Sequence, residues 1–281
     1  MDFDTQTKPS WCPGCGNYGI FSSLKSAFEK IRVPQEEIVV FYGIGCHGNM
    51  SNFLNVYGFE GLHGRPIPAA IGAKIANHNL KVIVIAGDGD SYGEGVNHLI
   101  SAARGNHDIT VIVHNNEIYG LTTGQTSPTS EKGTKTKSTP LGSIEVPLNP
   151  LALAITSGAT FVSRGFAGKM DSLADLIIEA IKHNGFSLVD VLQPCLTFEK
   201  IHNFEYLKQK IYDLSKIRYD KLDKVKAIQK TFEWEEKIPI GVFYEEERES
   251  YTDQLPQLKS QTLVEKNISG IKLDKFFKEL T

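Results

Sequence analysis

The sequence predicts an α/β fold: a mostly parallel sheet with helices on both faces, followed by a C-terminal arm. Two observations carry this expectation. Short continuous apolar runs at 38–42, 81–86, 109–114 and 187–192 alternate with stretches whose apolar residues recur at helical spacing. Runs of that kind are strands buried on two faces, and their alternation with helices implies right-handed βαβ crossovers.

Leu24, Ala27, Phe28 and Ile31 fall at i, i+3, i+4 and i+7, the stripe of a first helix. The first apolar run is stopped by Gly43 and the second by Gly87, while the intervening 68–77 is rich in small residues and suits a helix packed closely on the sheet. Val96, Leu99, Ile100 and Ala103 mark the next helix, before the strand at 109–114. From 115 to 150 no period holds, and a loop that long is usually functional. Leu173, Leu176, Ile177, Ala180 and Ile181 mark a further helix, and the strand at 187–192 delivers Cys195 just beyond its end. After Phe198 the composition turns to Lys, Glu and Tyr. That shift divides a domain over 1–198 from an arm or subdomain over 199–281, helical in parts between Phe204 and Gln229.

Thirty basic against 33 acidic side chains leave a formal charge of −3, which provides no global field for nucleic acid or an anionic membrane. No window approaches the roughly 18 consecutive apolar residues that a membrane helix needs. The start, Met1-Asp2-Phe3-Asp4, lacks the features of a signal peptide, so a cytoplasmic, reducing compartment is expected. Disulfides are disfavoured there. Cys12 and Cys15 form a tight Cys-Pro-Gly-Cys, and with the distant Cys46 and Cys195 they suit a metal or cluster site. Spacing alone leaves zinc and iron–sulfur open.

In a parallel sheet ligands bind beyond the carboxyl ends of the strands. Three ends carry polar or glycine-rich text: Gly43 to Gly48 (Gly-Ile-Gly-Cys-His-Gly), Gly87-Asp88-Gly89-Asp90, and Asn115-Asn116. Asp88 and Asn116 end consecutive predicted strands, about one βαβ crossover apart, so a right-handed connection sets both at one sheet edge. A carboxylate and an amide oxygen are hard ligands, suited to magnesium and the diphosphate it carries.

Gly87-Asp88-Gly89 followed by Asn115-Asn116 resembles the thiamine diphosphate-binding motif. The longer text 116–125 (Asn-Glu-Ile-Tyr-Gly-Leu-Thr-Thr-Gly-Gln), with Trp11 to Gly16, Gly43 to Cys46 and His63-Gly64-Arg65, resembles the β subunit of 2-oxoacid:ferredoxin oxidoreductases, in particular the 2-oxoglutarate-type branch. The resemblance covers residues 11 to about 200.

The resemblance implies thiamine diphosphate and Mg2+ as cofactors, with the metal on Asp88, Asn116 and the main-chain carbonyl of Ile118. It maps cofactor contacts onto Ile44, Gly45, Cys46, His47, Gly89, Asp90, Gly120 and Leu121, and a 4Fe-4S cluster onto Cys12, Cys15, Cys46 and Cys195. The activity it implies is oxidative decarboxylation of a 2-oxoacid, 2-oxoglutarate favoured, with coenzyme A taking the acyl group and ferredoxin the electrons. One diphosphate-type motif set implies a separate α subunit, in a heterodimer or heterotetramer, to complete the cofactor site. His47 and His63 are candidates for orienting the substrate carboxylate or assisting proton transfer. Asn49 stands where some relatives that handle 2-oxoglutarate place a basic residue, a departure that weakens the assignment of a dicarboxylate substrate to this chain unless the α subunit supplies the charge. The competing expectation is a non-oxidative thiamine-dependent decarboxylase or synthase subunit with structural zinc.

Overall fold

Residues 2–270 and 273–279 are described by the computed structural model; the predicted arm therefore extends beyond the described residues at 271–272 and 280–281. Among the described residues eight strands form one sheet. In chain order its strands are β1 (Ile38–Tyr42), β2 (Tyr57–Glu60), β3 (Lys81–Gly87), β4 (Thr110–Asn115), β7 (Phe161–Phe166), β8 (Ser187–Leu192), β9 (Ile211–Asp213) and β10 (Ile238–Glu245). Across the sheet they run β2-β1-β3-β4-β8-β7-β10-β9. Every neighbouring pair is parallel except β7 and β10. The mostly parallel sheet expected from the apolar runs is the one observed.

Alternation along the strands sorts their side chains into two cores. Ile83, Ile85 and Ile112 point to the face covered by α1 (Asn17–Ile31) and α5 (Met170–Lys182), whose Leu24, Phe28, Leu173 and Ile177 meet them. Val82, Val84, Val111 and Val113 point to the opposite face. There they meet α2 (Pro66–Ala76), α3 (Val96–Gly105) and α4 (Pro150–Ser157) through Ile67, Leu99 and Ile155. Both faces are thus covered, as a parallel sheet requires.

Several elements were not anticipated. β2 is an edge strand whose four residues are all exposed, so it carries no buried run to detect. β7 places Arg164 among buried positions, which interrupts its apolar signal. α4 begins on Pro150, with the Asn149 side chain accepting from Ala152 N at 3.1 Å, a compact N-cap inside polar text. Within the long loop, β5 (Ile118–Tyr119) and β6 (Gln125–Thr126) make a small hairpin. The arm contributes α6 (Phe204–Lys210), α7 (Lys224–Thr231) and α8 (Asp274–Glu279), and its β9 and β10 extend the main sheet. Among the described residues no helix is long and apolar enough to cross a membrane.

Leu24 is fully buried between α1 and the sheet. Leu24→Ala is expected to lower stability by about 2–5 kcal/mol through lost burial and a residual cavity, read from urea unfolding.

Candidate functional site

Strands β3 and β4 are adjacent and parallel, with Gly87 paired to His114, so the residues that follow them emerge at one edge. Asp88 leaves β3 into a wide π-helical turn over Gly89–Glu94, and Asn116 leaves β4 into the β5–β6 hairpin. Turns of this width recur where a side chain must be re-aimed at a functional site. The cleft they enclose, about 450 Å³ including its mouth, is lined by all three residues expected on the metal side, all the expected cofactor contacts, and both His47 and His63. Of the four cysteines, Cys46 lines it.

Asp88 is buried, and its Oδ2 accepts from Ser127 Oγ at 2.5 Å and Thr129 Oγ1 at 2.8 Å. Burial pushes its carboxyl up to about 6 in spite of these donors. A buried carboxylate without a cation is costly, and a bivalent ion in the cleft would remove that cost. Thr129 Oγ1 also lies 2.9 Å from Asn115 Oδ1, so its single proton is divided between two acceptors, and Asn115 Nδ2 donates to Asp190 Oδ1 at 3.1 Å. Asp190 in turn accepts from Tyr92 Oη at 2.9 Å and Arg164 Nε at 3.3 Å, all four being buried. The chain of bonds from Arg164 to Asp88 runs beneath the cleft and fixes the carboxylate's direction. Ser127, Thr129, Asp190 and Arg164 went unread in the sequence; only the hydroxyl-rich Ser127 to Ser130 marked that loop.

Asn116 Nδ2 donates to Gln193 Oε1 at 3.3 Å, while its Oδ1 accepts from Ile118 N at 3.1 Å. The side chain of Ile118 is buried, so any ligand role rests on its main chain. Asp90 accepts from Ile44 N at 3.0 Å and Gly64 N at 2.8 Å through Oδ1, tying the first glycine-rich strand end and the His63 loop to the π turn. A Cβ on Gly43 would lie 1.9 Å from Asp90 Oδ2, so this close approach requires glycine. Tyr119 Oη donates to Gly89 O at 3.2 Å and holds the hairpin against the same turn.

His47 is buried, and burial followed by the charge of His63 pushes it down to about 3. Its ring lies 5.8 Å from that of His114, whose Nδ1 meets Asn17 Oδ1 at 2.7 Å. Both imidazoles are neutral and each has an unpartnered buried Nε2. His114 also lines the cleft, and nothing in the sequence separated it from the strand it ends. His63 Nδ1 lies 3.7 Å from Asp90 Oδ1.

All four thiols are free. The position of a Cβ on Gly120 lies 3.6 Å from Cys46 Sγ and 4.0 Å from Cys195 Sγ, ordinary contact distances that set both sulfurs beside this residue. Cys15 is pushed up to about 11 by burial, with Cys195 and Cys46 adding to the rise, and Cys46 is raised by burial and by Cys195 and Cys12. Each pair of loops is therefore close enough to interact. Gly16 N donates to Pro194 O at 3.0 Å and Gln193 Nε2 to Cys15 Sγ at 3.4 Å, which binds the Cys-Pro-Gly-Cys turn to the end of β8. Trp11 Nε1 donates to Cys46 O at 2.6 Å. Among the described residues no three His, Cys, Asp or Glu side chains converge closely enough to hold a single metal ion.

A feature outside the expected set lies behind the hairpin. Glu117, between Asn116 and Ile118, has φ 58° and a buried carboxylate 2.8 Å from Nδ1 of the buried His202. Burial pushes Glu117 up to about 7; burial alone would lower His202, but its bond to Glu117 raises it.

This fold and cleft define an α/β protein of the thiamine diphosphate-binding class: residues 43–191 match the thiamine pyrophosphate enzyme C-terminal binding domain. Residues 195–260 match the C-terminal part of pyruvate ferredoxin oxidoreductase β subunits. The chain is 47% identical over 256 residues to a 2-oxoacid:ferredoxin oxidoreductase subunit beta of Saccharolobus solfataricus, covering 87% of this chain and 84% of that one. It is 35% identical over 249 residues to the 2-oxoglutarate synthase subunit KorB of Archaeoglobus fulgidus, covering 89% of each. A solved 2-oxoglutarate:ferredoxin oxidoreductase from Magnetococcus marinus, with 2-oxoglutarate, coenzyme A and succinyl-CoA bound, superposes with a TM-score of 0.91 at 32% identity. That match covers 100% of this chain and 95% of the other. The chain belongs to the family of 2-oxoacid:ferredoxin oxidoreductase β subunits.

Asp190→Ala leaves the Arg164 guanidinium buried and unpaired, and is expected to cost about 3–5 kcal/mol in urea unfolding. His47 has a second consequence, for acid stability. Its depressed pKa means that its contribution is fully present above the ordinary value of 6.5 and is lost as pH falls toward about 3. His47→Gln should flatten the acid-side loss of stability by about 1.4 kcal/mol per pH unit between pH 6 and 4.

Proposed function

We propose that this chain works with an α subunit to decarboxylate a 2-oxoacid oxidatively, 2-oxoglutarate in the first instance. Coenzyme A takes the acyl group, and electrons leave through a 4Fe-4S cluster to ferredoxin in the cytoplasm. The observation that carries this reading is the common wall between two sites. Cys46 lines the cleft that holds Asp88 and Asn116, and Gly120 sits against the sulfurs of Cys46 and Cys195.

Asp88, Asn116 and the Ile118 carbonyl would hold Mg2+, with Ile44 to His47, Gly89, Asp90, Gly120 and Leu121 around the cofactor. Cys12, Cys15, Cys46 and Cys195 would hold the cluster. Bound there, thiamine diphosphate supplies the electron sink for loss of carbon dioxide, and the cluster a one-electron acceptor. The residues' own work is positional. Ser127 and Thr129 occupy one oxygen of Asp88, which restricts the directions from which a cation can approach it. His47, with Nε2 unpartnered, is suited to accept a hydrogen bond in the cleft, and His63, beside Asp90, to meet the substrate carboxylate. Support for 2-oxoglutarate comes from the Magnetococcus marinus complex, aligned along this entire chain.

The test is the co-purified α–β complex prepared without oxygen. It should be brown, give a paramagnetic signal on reduction, and reduce ferredoxin with a 2-oxoacid and coenzyme A. Asp88→Ala should weaken Mg2+-dependent thiamine diphosphate binding by more than about 100-fold, since even outer-shell partners of a metal contribute roughly 10- to 100-fold. Cys46→Ser should lose the paramagnetic signal. A colourless complex loaded with zinc would overturn the reading.

A further inference from the structure

The arm meets the turn beside the cleft through a buried contact between His202 and Glu117. Glu117 is held in the left-handed region, where a non-glycine residue persists only if its surroundings compensate the strain. Two groups supply that compensation. Ser130 Oγ donates to the Glu117 carbonyl, and the carboxylate pairs with His202 Nδ1 at 2.8 Å. Neither Glu117 nor His202 lines the cofactor cleft, yet the flanking Asn116 and Ile118 both do.

From His202 the contacts lead back to the cysteines. Glu199 caps the backbone of its own turn, its carboxylate accepting from Ile201 N at 2.7 Å and His202 N at 2.8 Å. Glu199 N in turn donates to the carbonyl of Cys195 at 3.0 Å. The imidazole is packed against Tyr206 and Trp234, with ring centroids 4.9 and 5.8 Å away, and its other nitrogen is 3.4 Å from Glu131. Six residues therefore separate Cys195 from a histidine that grips the turn between Asn116 and Ile118.

We propose that Glu117 and His202 are positioning residues, a pair that locks the Asn116–Ile118 turn to the Cys195 loop so that cation binding in the cleft and the setting of the cluster ligand depend on one another. The inference rests on the magnesium and cluster assignments made above. Outer-shell groups that orient ligands are worth roughly 10- to 100-fold in metal affinity, and a left-handed turn freed of its partner has no reason to keep both ligands aimed inward.

The experiment uses the α–β complex, titrated with Mg2+ at saturating thiamine diphosphate by calorimetry, with the spectrum of the reduced cluster recorded beside it. His202→Ala should weaken Mg2+ binding by roughly tenfold or more and shift the cluster's paramagnetic signal, although His202 touches neither group. His202→Asn, whose amide N–H can stand in for Nδ1–H, should restore most of both. Glu117→Gly, which accepts φ 58° without strain and leaves the packing of His202 in place, should reproduce the alanine defect. It serves as the deciding variant if His202→Ala does not assemble. Unchanged Mg2+ affinity in His202→Ala or Glu117→Gly, an unchanged cluster signal, or a defect that His202→Asn does not relieve would each overturn the proposal. Failure of the unsubstituted complex to bind Mg2+ and thiamine diphosphate would instead overturn the functional reading and this inference with it.

Discussion

Burial of one carboxylate organises the molecule. Asp88 stands at the end of a strand that is enclosed on both faces, where an ion is poorly solvated and its pKa rises toward neutrality. The chain meets that cost by bringing Ser127 and Thr129 across from the long loop to one oxygen, and by bracing Thr129 through Asn115 on the Asp190–Arg164 pair. The arrangement stabilises the acid's orientation more than its charge. A bound cation would complete what the hydroxyls begin.

The same constraint explains which parts of the fold were legible in the sequence. Strands β1, β3, β4 and β8 were readable because each is a continuous apolar run buried on both faces, and α1, α3 and α5 because each buries one stripe. β2 escaped because an exposed edge strand has no reason to be apolar, and β7 because it carries Arg164 into the interior to meet Asp190. The arm's β10 joins the sheet antiparallel to β7 and next to the short β9, outside the βαβ logic that predicted the rest.

Within the cleft, the residues readable in advance were those whose spacing follows the sheet. Asp88 and Asn116 are joined by one crossover, and adjacency of β3 with β4 brings them to one edge. What escaped was the support behind them: the hydroxyls at 127 and 129, His114 on its strand, and the Glu117–His202 pair 85 residues apart in the chain. Such partners carry no period and no local motif, because a buried hydrogen bond needs only that two groups meet in space. A glutamate inside a hairpin and a histidine inside a polar segment read as surface residues until the fold joins them.

The position of the cysteines adds a reason for the order of the chain. Cys12 and Cys15 precede the first helix, Cys46 follows β1, and Cys195 follows β8, so no single loop can present the thiols together. Their proximity exists only once α1 has docked, with Gly16 N bound to Pro194 O and Trp11 bound to Cys46 O. The acid–amide edge, by contrast, is set by two neighbouring strands, β3 and β4. The two sites therefore rest on different parts of the chain, and the Glu117–His202 pair joins the segment that follows Cys195 to the turn beside Asn116.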